Sequence, residues 1–135
     1  MSRGLRNCNP GNIRRSRSKF KGEVRPSRDA AFKQFETMAY GYRAMFVLLD
    51  TYHRRSGLTS IRGMISRWAP PSENFTDGYI RFVAERSGID ADAMVDSRLE
   101  RDMVPIVAAM SEIENGVKAV MTDVHEGWEL FICER

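Results

Sequence analysis

Apolar residues recur every three or four positions between residues 38 and 52, which is the spacing of one face of an α-helix. Thr37 precedes this stretch and can cap its first turn, and the segment RRSG closes it with basic residues and a glycine. The pattern predicts a long helix with one buried face, so we expect the chain to be built around helix packing. The apolar positions are Met38, Tyr42, Met45, Phe46, Leu49 and Tyr52.

Two shorter segments after this helix also carry helical patterns. The first begins at Thr59 and is stopped by the pair Pro70 and Pro71, because proline cannot continue a helix. The second runs from about Thr76 to Ser87, and Gly88 marks its end. Both segments extend the helical part of the chain.

Two more helices are predicted in the C-terminal third. The longer one follows Asp96 and ends at the segment ENG, and Pro105 inside it is expected to kink or split it. A last short helix is expected from Thr122 to about Cys133, because the apolar residues of that segment share one face. Helices are therefore expected from residue 37 to the end of the chain.

The first 36 residues have a different character. The NPGN turn cluster, and short apolar pieces broken by glycine and proline, predict an irregular lobe or a small hairpin within residues 12 to 36. With 42% hydrophobic and 29% charged residues, the 135-residue chain suits one compact domain. The predicted fold class is mainly α, a helical bundle (residues 37 to 135) preceded by a turn-rich basic flap (residues 1 to 36).

Positive charge is concentrated in this flap. Residues 1 to 28 contain nine lysines and arginines and the single acid Glu23, a local charge of +8 in a chain whose net charge is +3. Such a segment is attracted to a polyanion, which on charge alone is nucleic acid, an anionic cell-wall polymer or an acidic protein surface. The chain has no helix-turn-helix, zinc-finger or base-stacking motif, so nucleic acid is the least supported of these partners.

Other classes of protein are disfavoured by what the sequence lacks. No apolar run is long enough to span a bilayer and the N-terminus does not resemble a signal peptide, so we expect a cytosolic product without membrane insertion. Cys8 and Cys133 form no CxxC pair and are expected to be free thiols. His53 and His125 are far apart and have no HExxH or HxH spacing, so neither a metal site nor a cofactor is predicted.

The remaining polar and aromatic side chains are those of a carbohydrate site. Glycoside cleavage needs a carboxylic acid that protonates the leaving oxygen, and a second carboxylate, a water or the sugar's own acetamido group that stabilises the cation-like transition state. Glu23 and Glu73 are the candidate carboxylates. Each also has a local explanation, because Glu23 lies among the cations of the flap and Glu73 precedes a helix whose dipole favours an acid.

Amides and aromatic rings supply the candidate binding groups. Asn9 and Asn12 flank the Pro-Gly turn, where an amide either holds the turn or hydrogen-bonds a sugar acetamido group. Trp68, beside the proline pair, either stacks on a sugar face or packs in the core. Asn74 and Tyr79 lie at the start of the following helix, and the tyrosine is either buried in the bundle or reaches into a cleft.

The arrangement N-x-T-x-x-Y-I-x-x-V from Asn74 to Val83 resembles the late motif of the lysozyme-like lytic transglycosylases, in which an Asn and a Thr begin a helix whose Tyr faces the cleft. The chain also resembles small phage and prophage virion proteins of the lysozyme-like superfamily and, more distantly, bacterial glucosaminidases. Four segments in this order carry the resemblance: RNCNPGNIR, FKGE, FKQFETMAYGYRAMFVLLDTY and WAPPSENFTDGYIRFV. The resemblance covers about residues 4 to 116. It implies a lysozyme-like fold and a muramidase or lytic transglycosylase that cleaves peptidoglycan glycan strands, made in the host bacterium, with other virion proteins as further partners.

The same resemblance implies a catalytic glutamate at the end of a helix that precedes the flap. Only about nine residues precede the PGN segment in this chain. One possibility is that a flap residue such as Glu23 takes the acid role. Glu73 and Asn74 are then expected at the mouth of the cleft, with Tyr79 reaching into it as a further catalytic residue and Glu23 facing it from the flap. The other possibility is a non-catalytic virion or tail component of the same fold. A nucleic-acid-binding protein that uses the basic flap is the third alternative.

Overall fold

The computed structural model describes residues 1–72 and 74–133. Within these residues it contains six helices and one two-stranded antiparallel sheet. The helices are α1 (Arg3–Arg6), α2 (Met38–Ser56), α3 (Ile61–Trp68), α4 (Thr76–Ser87), α5 (Glu100–Asn115) and α6 (Met121–Cys133), and the strands are β1 (Glu23–Val24) and β2 (Gln34–Phe35). The prediction of a mainly helical chain with a small hairpin in its flap is confirmed.

Helix α2 is the centre of the core. The Thr37 hydroxyl accepts a hydrogen bond from the backbone N–H of Tyr40, and Gly57 ends the helix in a left-handed conformation (φ 65°), as the sequence predicts. Helix α6 packs along α2, with the Trp128 ring edge-on to the Phe46 ring at a centroid distance of 5.0 Å. The apolar face of α2 is thus covered by the C-terminal helix.

A buried hydrogen bond ties the end of helix α3 to the start of helix α4. Helix α3 is capped by the Ser60 hydroxyl, one residue after the predicted start. The Thr76 hydroxyl does not cap α4; it donates a buried hydrogen bond to the carbonyl oxygen of Ala69 and so ties the start of α4 to the end of α3. The prolines at positions 70 and 71 lie in the short loop between them.

Helix α5 runs unbroken through Pro105, so the expected split does not occur. A second difference from the sequence prediction is α1, a single helical turn inside the flap. Four residues do not form a stable helix alone. The turn is held by Ser2, whose hydroxyl accepts from the Leu5 N–H and donates to the Asn115 side chain at the end of α5.

The flap hairpin pairs Glu23 with Phe35 and Val24 with Gln34, and an additional bridge joins Arg14 and Phe32. The hairpin rests on the helical body through Phe35, which is buried. None of the helices in the described part of the chain has the length and apolar character needed to cross a bilayer.

Candidate active site

A cleft of about 330 Å³ opens between the flap and the helical body. The flap supplies Asn12, Arg14 and Phe32 to its lining, and helices α2 and α3 supply Tyr52 and Trp68. The Trp68 and Tyr52 rings meet edge to face with their centroids 6.4 Å apart, so one side of the cleft is aromatic. Glu114, from the last turn of α5, also lines this cleft.

Glu114 is partly buried and accepts hydrogen bonds from three side chains. Asn12 Nδ2 donates to Oε1 over 2.8 Å, and the Tyr79 hydroxyl donates to Oε2 over 2.9 Å. The side chain of Trp68 is the third partner, and its indole N–H can only donate. The flap, α3 and α4 therefore all contact one carboxyl group.

Burial raises the pKa of the Glu114 carboxyl above its ordinary value, because the charged form loses solvation. The hydrogen bonds from Asn12, Tyr79 and Trp68 act in the opposite direction and favour the carboxylate, but burial outweighs them. A carboxyl group with these neighbours keeps its proton at a higher pH than an exposed glutamate. This is the property required of a general acid.

The end of α5 is fixed against the N-terminal turn by Asn115. Its Nδ2 donates to the Pro10 carbonyl over 2.9 Å, and its Oδ1 accepts from the Ser2 hydroxyl over 2.7 Å. Asn12 adopts a left-handed backbone conformation (φ 50°), which asparagine tolerates better than most residues. In this conformation its side chain donates to Glu114. The N-terminal turn thus joins the flap to the helix that carries the acid.

Sequence reasoning missed Glu114, which it treated only as part of the helix stop ENG. A signal was present. Helix α5 has no basic residue in its last turn, where Glu112 and Glu114 face the negative end of the helix dipole. Acids at that end conflict with local electrostatics, and such conflicts concentrate at functional sites.

Glu23 lies outside this cleft, which corrects the expectation that it faces Tyr79 from the flap. Its side chain is 4% exposed and accepts from the Lys33 ammonium, whose Nζ lies 3.1 Å from each carboxylate oxygen. Arg25 Nε donates to the same carboxylate over 2.9 Å. Burial alone would raise the pKa of Glu23, but the hydrogen bonds from Arg25, Phe20 and Lys33 lower it overall. Glu23 is therefore held as a carboxylate that stabilises the flap.

The other predicted site residues divide between the cleft and the core. Asn12, Trp68 and the exposed Asn74 line the cleft. Tyr79 is only 7% exposed and lies behind Glu114 as its hydrogen-bond donor. Asn9 is fully buried; its amide bonds the backbone of Ile13 and Lys33 and so holds the turn. Glu73 lies outside the described residues.

A second, larger cleft of about 590 Å³ borders α4 and the loop that follows it. Its titratable lining residues are all exposed, and Arg62 at its edge pairs with Asp92 over 2.7 Å. Across residues 1–72 and 74–133, no three His, Cys, Asp or Glu side chains come together as metal ligands would. The partly buried Glu114 makes the cleft of about 330 Å³ the stronger candidate for chemistry.

Fold and site together define a small, mainly helical domain with a cleft built around one partly buried carboxyl group. No family model matches the chain. It is 38% identical over 133 residues to "Protein P5" of Pseudoalteromonas phage PM2, an alignment that covers 95% of this chain and 81% of the phage protein. The chain belongs to the same protein family as this phage protein.

Proposed function

We propose that this protein cleaves the glycan strands of bacterial peptidoglycan, as a muramidase or lytic transglycosylase, with Glu114 as the general acid. The observation that carries the proposal is a partly buried carboxyl group, its pKa raised by burial, beside an aromatic-lined cleft. Membership of a family that includes a phage protein is consistent with an enzyme that acts on the host cell wall. The lysozyme-like resemblance of the sequence motifs points to the same substrate.

The reaction begins with a protonated Glu114. Its proton passes to the glycosidic oxygen as the bond to the sugar C1 breaks, so the departing sugar leaves as an alcohol. The carboxylate that remains accepts hydrogen bonds from Asn12, Tyr79 and Trp68, which therefore stabilise the charge that develops on Glu114. Because these donors are in place beforehand, little reorganisation is needed during the step.

The electron-poor C1 needs a partner on the opposite side of the sugar. Among the described residues that line the cleft, Glu114 is the sole carboxylate. We assign the second role to a water molecule, which would give hydrolysis, or to a hydroxyl group of the same sugar, which would give an intramolecular product. The acetamido group of the substrate can form a bond to C1 first, and water or that hydroxyl then displaces it. Glu73 would offer a carboxylate next to Asn74, but it lies outside the described residues.

The lining of the cleft suits an N-acetylated sugar. Trp68 and Tyr52 present ring surface against which the apolar face of a sugar can pack. The exposed amide of Asn74 offers both a donor and an acceptor for an acetamido group. These contacts would hold a glycosidic oxygen near Glu114.

Digestion of purified peptidoglycan sacculi tests this proposal. The expected result is release of soluble muropeptides, and mass spectrometry of their ends separates hydrolysis from the intramolecular reaction, since the latter product is lighter by one water. Sacculi that stay intact with wild-type protein, under conditions where a control muramidase solubilises them, would contradict the enzymatic proposal. That result would favour the non-catalytic virion component.

A further inference from the structure

We propose that Asn12 is a positioning residue for the acid, and that its side-chain amide turns over when Glu114 changes its protonation state. In one orientation Nδ2 donates to the Glu114 carboxylate, as the structure shows, and in the other Oδ1 accepts the proton of the neutral carboxyl. The inference rests on the proposed function, since it assumes that Glu114 starts the reaction protonated. The turn gives the proton of the neutral acid a partner.

A protonated Glu114 needs an acceptor for its own hydrogen. The groups that contact its carboxyl are all donors in the structure: Asn12 Nδ2, the Tyr79 hydroxyl and the Trp68 indole, which cannot accept. The Tyr79 hydroxyl is buried, and Oε2 is the acceptor that the structure gives it, so reversing this bond would strand a buried proton. The contacts suit a carboxylate, and the Asn12 contact is the one that can reverse when the carboxyl gains its proton.

The Asn12 amide is bonded at one end only. Its Oδ1 is buried, and no donor within residues 1–72 and 74–133 reaches it. The amides of Asn9 and Asn115 are bonded at both ends, because each donates to backbone carbonyls and each oxygen accepts, from the Ile13 N–H and the Ser2 hydroxyl respectively. A buried acceptor without a donor costs free energy. Of these three amides, Asn12 is therefore the least firmly held in its orientation.

Acceptor oxygens surround the place that Asn12 Oδ1 occupies. The position that a Cβ would take at Gly4 is 2.8 Å from this oxygen, 2.6 Å from Asn115 Oδ1 and 2.8 Å from the Asn9 carbonyl oxygen. The terminal torsion of asparagine is roughly two-fold, so a half-turn exchanges Oδ1 and Nδ2 and keeps the shape of the side chain. The turned amide directs an N–H group toward these acceptors and its oxygen toward Glu114. Both of its ends then face groups of the opposite kind.

The turn involves Asn12 in both stages of the proposed reaction. Before cleavage, Oδ1 accepts the proton of Glu114. When a glycosidic oxygen in the cleft takes that proton, the amide turns back and Nδ2 donates to the new carboxylate. Tyr79 and Trp68 donate throughout, so the reorganisation is confined to one terminal torsion.

The titratable groups around Glu114 leave its own protonation as the trigger. Tyr79 on α4 contacts it directly and stays neutral because burial raises the pKa of its hydroxyl. No charged side chain in the described part of the chain is among the groups that shift the pKa of Glu114. The other titratable residues on the same cleft or the same helix turn are Arg14, Tyr52, Glu112 and the Arg86 that pairs with Glu112.

Nuclear magnetic resonance of the wild-type protein tests the turn directly. The nuclear Overhauser effect between the Asn12 side-chain NH₂ and the Gly4 Hα should strengthen several-fold as pH falls through the pKa of Glu114, because Nδ2 then lies beside Gly4. The Asn9 amide is the internal control and should not respond. In Glu114→Gln, which does not titrate, the response of Asn12 should disappear. An Asn12 amide whose contacts are the same at every pH, or change equally in Glu114→Gln, overturns the proposal.

Asn12→Gly separates a two-way partner from a fixed donor. Glycine adopts the left-handed backbone of this position readily and removes both ends of the amide. Loss of a fixed donor would raise the pKa of Glu114, whereas loss of a two-way partner affects both protonation states and should leave that pKa nearly unchanged. Titration of the Glu114 carboxyl carbon resonance measures this, with Tyr79→Phe as the matched loss of a fixed donor. A pKa that rises as much in Asn12→Gly as in Tyr79→Phe contradicts the proposal.

Activity is measured separately on peptidoglycan sacculi. The Asn12→Gly variant should lose roughly tenfold in kcat, since the new carboxylate lacks one donor. If wild type leaves sacculi intact while its Asn12 amide still follows the protonation of Glu114, the turn stands and the enzymatic proposal fails. If sacculi are cleaved while the amide keeps one orientation, the enzymatic proposal stands and the turn is wrong.

Discussion

The hydroxyl group of Tyr79 donates a hydrogen bond of 2.9 Å to Oε2 of Glu114, although 35 residues separate the two in the chain. Burial raises the pKa of the Tyr79 hydroxyl well above its ordinary value, and the adjacent Glu114 carboxyl raises it further. Tyr79 is therefore a neutral donor at any working pH. Helix α4 therefore makes two tertiary contacts near its start: Thr76 ties it to α3, and Tyr79 holds the Glu114 carboxyl.

Replacing Glu114 by glutamine tests its role as the proton donor. Glutamine keeps the shape of the side chain: its oxygen can accept from Asn12, and its amide can donate to the Tyr79 hydroxyl. We expect kcat to fall by about a hundredfold or more, with no loss of melting temperature. Glu112→Gln is the matched control, since Glu112 lies two residues earlier on α5 and pairs with Arg86 over 3.2 Å. Equal activity in both variants would remove Glu114 from the chemistry.

The stability of the same variant should depend on pH. Because the pKa of Glu114 is raised in the folded protein, this side chain stabilises the folded wild type against unfolding while the carboxyl is protonated. That contribution to the free energy of unfolding is lost as pH rises through the raised pKa. Glutamine does not titrate. The melting temperature of Glu114→Gln relative to wild type is therefore expected to increase as pH rises from the ordinary glutamate pKa of 4.5 through the raised pKa of Glu114. A difference that is constant with pH would argue against a partly buried, titrating acid.

Tyr79→Phe should change the pH profile of the reaction. The hydrogen bond from Tyr79 lowers the pKa of Glu114, so its removal should raise that pKa further and move the alkaline limb of kcat/KM to higher pH. Tyr79 lies behind the acid and does not line the cleft, so kcat is expected to fall while KM changes little. A purely structural tyrosine would reduce stability, by about 1 kcal/mol, and leave the position of the limb unchanged.

Gly4→Ala tests whether the N-terminal turn positions the acid. A Cβ at Gly4 would lie 2.6 Å from Asn115 Oδ1 and 2.8 Å from both Asn12 Oδ1 and the Asn9 carbonyl, so Asn12, which donates to Glu114, must move. A displacement of this kind is expected to reduce kcat by roughly tenfold or more. Gly63→Ala, within α3, has no contact closer than 3.5 Å and should instead stabilise the protein by roughly 0.5 to 1 kcal/mol without affecting activity.

Glu23→Gln should affect stability rather than chemistry. The ammonium of Lys33 is 1% exposed and would lose its ionic partner, at a cost of roughly 3 kcal/mol. Because the pKa of Glu23 is lowered in the folded protein, its stabilising contribution is lost as pH falls through that pKa. The melting temperatures of the wild type and the Glu23→Gln variant should therefore converge at acidic pH. Thermal melts at neutral and acidic pH measure this, with the exposed flap acid Glu36→Gln as the control. A Glu23 variant that melts like wild type but cannot lyse sacculi would restore Glu23 as a catalytic residue.

Local sequence signals were sufficient for most of the helices. These signals act over one or two helical turns. Helix α2 begins after Thr37 and ends at Gly57, and α4 ends at Gly88, as the capping residues and the apolar spacing of α2 predict. The single turn α1 escaped prediction because its stability comes from Ser2 bonding Asn115, a contact across 113 residues.

The environment of Glu114 depends on contacts between segments that are far apart in the chain. Asn12 and Glu114 are 102 residues apart, and Glu114 is partly buried and hydrogen-bonded because the flap packs against the end of α5. Glu112 and Glu114 are both acids in the last turn of that helix, yet helical phase directs one toward Arg86 and the other into the cleft. Local patterns in the sequence predicted the helices and the basic flap, and they included Asn12, Trp68 and Tyr79 among the candidate site residues without indicating that all three contact Glu114. Which carboxyl group they surround depends on the burial that follows from packing distant segments together, because burial sets the pKa of an acid and no local pattern encodes it.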